Sequence, residues 1–104
     1  MKIGLTEAIS TLSKQPGQLF VKLFEHGSLS VEYYKPGMED LQNPHTQDEL
    51  YVVASGSGWF VKAGERFSFP TGDMLFVPAG VEHRFVDYTD DFATWVIFYA
   101  DGLV

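Results

Sequence analysis

The sequence predicts an all-β protein, built as a barrel or double-sheet jelly roll, with one short helix at its N-terminus. Two observations carry that prediction. From residue 18 onward, short runs rich in β-branched and aromatic residues alternate with turn residues. Nine Phe, five Tyr and two Trp make 15% of the chain, and such side chains favour the pleated surface of a strand. The length of 104 residues suits one domain over 1–104, with the barrel at about 18–100, and is too short for two ordinary cores.

The elements follow in order. Leu5, Ala8, Ile9 and Leu12 recur at helical spacing after Thr6, read as the N-cap, and Pro16-Gly17 ends the segment. Gln18 to Glu25 and Leu29 to Tyr34 flank His26-Gly27-Ser28 and read as a hairpin. Lys35 to Pro44 is irregular. Glu49 to Ala54, Trp59 to Ala63 and Arg66 to Phe69 are strands joined by Ser55-Gly56-Ser57-Gly58 and by Gly64-Glu65. Asp73 to Val77, Glu82 to Tyr88 and Phe92 to Ala100 complete the set, after turns at Pro70-Thr71-Gly72, Pro78-Ala79-Gly80 and Thr89-Asp90-Asp91. About eight strands in roughly 85 residues fit a closed or two-sheet architecture.

Composition excludes several functions. Fourteen acidic against seven scattered basic residues give a net charge of −7, which phosphate backbones and anionic membranes repel. No nucleic-acid or membrane partner is expected. The chain has no cysteine, so disulfides, thiolate metal sites and cysteine nucleophiles are ruled out. Any metal must be held by nitrogen and oxygen. Met1 to Gln15 lacks a signal-type apolar core and the longest apolar run, Trp95 to Ala100, cannot cross a bilayer, so the cytoplasm is the expected compartment.

In an extended chain, alternate residues share a face. A strand that began early would project Asn43, His45, Gln47, Glu49 and Tyr51 together. His83 comes from another strand. Two histidines and a carboxylate with open positions opposite suit Fe(II), and related sites take Mn, Ni, Co or Zn. A histidine near a carboxylate is more often a structural hydrogen-bonded pair than a ligand set.

The spacing of the punctuating residues adds to this. Gly37, five residues, Asn43, one residue, His45, three residues, Glu49, six residues and Gly56 closely resemble the first motif of the cupin superfamily. Gly72, five residues, Pro78-Ala79-Gly80, two residues, His83, three residues and Asp87 resemble its second, where the last position is usually Asn. Fifteen residues separate Gly56 from Gly72, as in small single-domain cupins. The resemblance implies a double-stranded β-helix, a divalent metal (Fe, Mn, Ni or Zn) on His45, Glu49 and His83, and a small-molecule ligand. Asn43 stands where the motif has its first histidine. Its amide oxygen is a weaker donor than imidazole and can leave a position to water. Gly56 and Gly72 have their own reason to be glycine, as turns needing positive φ.

Other candidates rank lower. Gln47 is a pocket-lining or supporting residue, and Tyr51 lines the pocket beside Glu49. Tyr33, Trp59, Phe76, Phe85, Trp95 and Phe98 are divided between core and pocket. Asp48 and Arg84 should face away, His26 lies in a turn, and Arg66 or Lys62 could meet a substrate carboxylate, although surface solubility is their simpler role. Two functions remain open. One is a metal enzyme of oxygenase or isomerase type acting on a small organic acid, phenol or sugar. The other is a non-catalytic barrel that binds a sugar or metabolite. The resemblance also implies a homodimer, with Gln18 to Phe24 as the candidate interface.

Overall fold

The computed structural model describes residues 1–99. One helix, α1 (Leu5–Ser13), precedes eight strands: β1 (Phe20–His26), β2 (Leu29–Tyr34), β3 (Asp48–Ser55), β4 (Gly58–Lys62), β5 (Glu65–Phe69), β6 (Met74–Val77), β7 (His83–Val86) and β8 (Ala93–Tyr99). The expected strand bounds shift by one or two residues, and Ala100 of the expected last strand lies outside the described residues. Thr6 is not the helix cap. Gly4, in extended backbone, takes that place, and its carbonyl accepts the Ala8 N–H at 3.1 Å.

The strands form two antiparallel sheets, one ordered β1-β2-β8-β3-β6 and the other β5-β4-β7. Chain neighbours repeatedly fall in different positions, which is the jelly-roll arrangement. Register defines the inner face of the large sheet. Ser30, Phe98, Glu49 and Val77 lie in one row across β2, β8, β3 and β6; Lys22, Glu32, Val96, Tyr51 and Leu75 lie in the next. On the outer face, α1 places Ala8 against Val21, Tyr33 and Ala93.

Aromatic side chains fill one end of the interior. Phe60, Phe69, Phe85 and Phe92 are buried, and Phe85 meets the other three at ring separations of 4.9, 5.6 and 4.7 Å. These spacings allow tilted and edge-on ring contacts, which add to the burial of the rings. Gly56, at φ 76, closes that end. A Cβ there would fall 2.5 Å from Thr89 Oγ1 and 2.7 Å from Phe92 Cα, so only glycine lets the two loops meet. No helix among the described residues is long and apolar enough to cross a membrane.

Candidate metal centre

The other end of the interior is polar. Glu49 is the second residue of β3 on the large sheet, His83 opens β7 on the small one, and His45 lies in the irregular chain just before β3. Two backbone-directed contacts staple these pieces together. The Gly80 N–H donates to the His45 carbonyl at 2.7 Å, and the Ala79 N–H donates to Asp48 Oδ1 at 2.8 Å. The Pro78-Ala79-Gly80 turn, with Gly80 at φ 80, therefore holds His45 and aims His83 at once.

One donor atom each from His45, Glu49 and His83 lies within 4.8 Å of the other two. Glu49 Oε1 is 2.7 Å from His45 Nδ1 and 2.8 Å from His83 Nε2. Nδ1–H of His83 donates to the Val81 carbonyl at 2.8 Å, which leaves Nε2 as the lone-pair nitrogen of the neutral ring. Glu49 is 1% exposed, and its Oε2 is the one buried side-chain polar atom among the described residues without a hydrogen-bond partner. A bare carboxylate oxygen in the interior is unfavourable unless a cation or water completes it. The donor set fits a divalent metal.

Electrostatics agree with that reading. Burial pushes the Glu49 carboxyl up, but the hydrogen bonds and charges of His83 and His45 outweigh it and hold the group below its ordinary value. Burial pushes His83 down, and its bonds to Glu49 and the Val81 carbonyl reverse the balance, so its pKa is raised. The three groups form a charge-coupled set in the metal-free protein.

An open cavity of about 640 Å³ lies beside this cluster. His45, one-third exposed, stands in its wall between the buried carboxylate and the solvent side, with the Phe98 ring packed edge-on at 5.2 Å. Gln47 also lines the cavity. Tyr51 is fully buried behind it, its hydroxyl 3.0 Å from His83 Nε2. Asn43 is exposed and is not part of the cavity wall. Strand β3 begins only at Asp48, so the alternation expected for residues 43–47 does not hold. Arg66 is engaged elsewhere, bound to Asp87 at 2.6 Å and stacked on Trp59, and Lys62 donates to the Phe76 carbonyl at 2.9 Å. His26 is exposed at the end of β1.

Three residues of this region had no sequence signal strong enough to single them out. Buried Asp40 accepts from Tyr34 Oη at 2.7 Å, from the Phe85 N–H at 2.7 Å, and from the Gln42 side chain and N–H at 2.8 and 3.3 Å. Gln42 in turn accepts from the Tyr51 hydroxyl at 3.0 Å. Both lie in the irregular connection, where no periodicity marks a side chain as inward. Glu32 faces the cavity, and burial pushes its carboxyl up against the opposing pull of Lys22 and His45. The polar alternation Ser30, Glu32, Tyr34 was its only signal.

Two antiparallel sheets around a cluster of two histidines and a glutamate, with a cavity at its side, define a jelly-roll barrel with a candidate metal site. The family model described as "Cupin domain" matches residues 30–99, and the chain belongs to that family. It is 33% identical over 81 residues to an uncharacterized protein of Streptomyces coelicolor, covering 76% of this chain and 77% of that protein. It is 38% identical over 53 residues to an acireductone dioxygenase of Drosophila melanogaster, a match spanning 46% of this chain and only 28% of that enzyme. A solved cupin 2 conserved barrel domain protein of Salinispora arenicola superposes with a TM-score of 0.66 at 22% identity, covering 80% of this chain and 75% of the other.

Proposed function

We propose that this chain is a metal-dependent cupin enzyme, of oxygenase or isomerase type, acting on a small organic acid, phenol or sugar. The observation that carries the reading is the convergence of His45, Glu49 and His83 beside an open cavity, with Glu49 Oε2 buried and unpaired. The partial match to a dioxygenase supports the oxygenase branch. A divalent ion held by His45, Glu49 and His83 would supply a Lewis acid for a substrate oxygen. The chain's own residues do the rest. His45 and Phe98 form the wall against which a ligand lies, and Glu32, with its raised pKa, can accept or return a proton at its carboxylate oxygen. Lys22, opposite Glu32 in the β1–β2 register and paired through Nζ with Glu25 at 3.1 Å, would have to exchange that partner to meet an anionic ligand group. We propose further a cytoplasmic homodimer with Gln18 to Phe24, along the β1 edge where Leu19 and Phe20 are exposed, as the interface, which sedimentation as a monomer at micromolar concentration would contradict.

Elemental analysis of the purified protein tests the metal. One first-row ion per chain, lost in His83→Ala, is the expected result; metal content no higher than trace, or unchanged in the variant, ends the reading. One observation favours a second function, a non-catalytic binding barrel: His45, Glu49 and His83 already satisfy one another at 2.7 and 2.8 Å. Ligand binding that persists in His83→Ala would select that alternative.

A further inference from the structure

We infer that the phenol oxygen of Tyr51 is the fourth donor of the centre, filling the position that Asn43 does not reach. The inference rests on the metal reading of His45, Glu49 and His83. Tyr51 follows Glu49 by two residues on β3 and so shares its inward face. Its hydroxyl lies 3.0 Å from His83 Nε2, the same nitrogen that is 2.8 Å from Glu49 Oε1. The oxygen thus adjoins the donor cluster at its His83 corner.

The hydrogens decide which way that oxygen presents itself. Gln42 must turn its amide nitrogen to the Asp40 carboxylate, at 2.8 Å, because only the NH₂ can donate. Its carbonyl oxygen therefore faces Tyr51 and accepts the single phenolic hydrogen at 3.0 Å. A lone pair of the Tyr51 oxygen is left facing His83. In the neutral ring Nε2 also presents a lone pair, because the ring hydrogen is on Nδ1 and bonded to Val81. Two lone pairs 3.0 Å apart, next to a buried carboxylate whose Oε2 has no partner, call for positive charge. A bound cation would supply it, with His45, Glu49 and His83 as its other donors.

Toward a divalent ion Tyr51 would act as a neutral phenol, its hydrogen held by Gln42. A ferric ion is the diagnostic probe, since a phenol bound to it gives up its proton to the buffer and the resulting phenolate-to-iron charge transfer absorbs visible light. Chelated protein is loaded with ferrous ion without oxygen, then oxidised with one equivalent of ferricyanide, which takes the single electron. The expected result is a coloured protein with tyrosinate ring vibrations in resonance Raman. Tyr51→Phe, which keeps the ring and removes only the hydroxyl, should lose both at unchanged iron content, and its zinc affinity should fall about 10-fold or more. Tyr34→Phe should keep both signals.

Wild-type protein that binds iron and shows no tyrosinate vibrations overturns the inference and leaves the three-residue centre standing, even should Tyr51→Phe fail to fold. Colour that survives Tyr51→Phe does the same. Failure of the wild type to bind any metal overturns this inference and the metal reading together.

Discussion

Asp40, in the irregular connection, and Glu49, at the start of β3, are both 1% exposed, yet their surroundings differ in one decisive respect. Asp40 receives four hydrogen bonds, from Tyr34, from the Phe85 backbone and twice from Gln42, and both of its oxygens are engaged. Glu49 meets two histidines through one oxygen and leaves the other bare. A fully paired buried carboxylate is an architectural part. An incompletely paired one beside a cavity is poised to take something up.

The largest effect should come from breaking the paired site. Asp40→Ala strands the Phe85 N–H, the Tyr34 hydroxyl and the Gln42 amide, and should destabilise the fold by about 3–5 kcal/mol in denaturant titration. A loss below about 1 kcal/mol would show that Asp40 does not organise the loop. Next comes the unpaired site. Glu49→Gln keeps the shape and should change metal-free stability by only about 1–2 kcal/mol, while zinc affinity measured by calorimetry falls beyond the roughly 100-fold typical of residues that merely support ligands.

Acidity should separate the two states of the centre. Glu49, held below its ordinary 4.5, stabilises the metal-free fold above that value and loses the contribution as pH falls through its lowered pKa. His83, raised above 6.5, contributes fully below that value and loses the contribution as pH rises through its raised pKa. The chelated protein should therefore be most stable between about pH 4.5 and 6.5. Zinc should reverse the upper limb, because its affinity grows as His83 gives up its proton. Denaturation midpoints that decline in parallel with and without zinc above pH 6.5 would argue against His83 as a ligand. The smallest effect belongs to Asn43→Ala, which should alter stability by less than about 0.5 kcal/mol and leave zinc affinity unchanged. A marked loss of affinity there would restore Asn43 to the coordination shell.

Much of this was legible in the chain. The eight strands followed from turn residues and β-branched runs, and the glycine-framed spacing marked His45, Glu49 and His83, which the fold does bring together. The inward placement of Tyr51 beside Glu49 followed from strand parity. Asp40, Gln42 and the outward position of Asn43 did not, because parity carries information only inside a strand, and the chain from 41 to 47 has none. The Thr6 cap failed because the helix begins at Leu5 and its first carbonyl is that of Gly4, which accepts from Ala8.

The β2 strand shows where local information ends. Its alternation separates Ser30, Glu32 and Tyr34 from Leu29, Val31 and Tyr33, and a half-exposed strand would ordinarily turn the polar set to water. Here the polar set faces the interior cavity, and α1 packs against Tyr33 on the other side. The sequence by itself determined which residues share a face, since the pleat makes that a property of neighbouring bonds. Only the stacking of the second sheet and the helix decided which face looks inward, and so which carboxylates meet the histidines and which meet solvent.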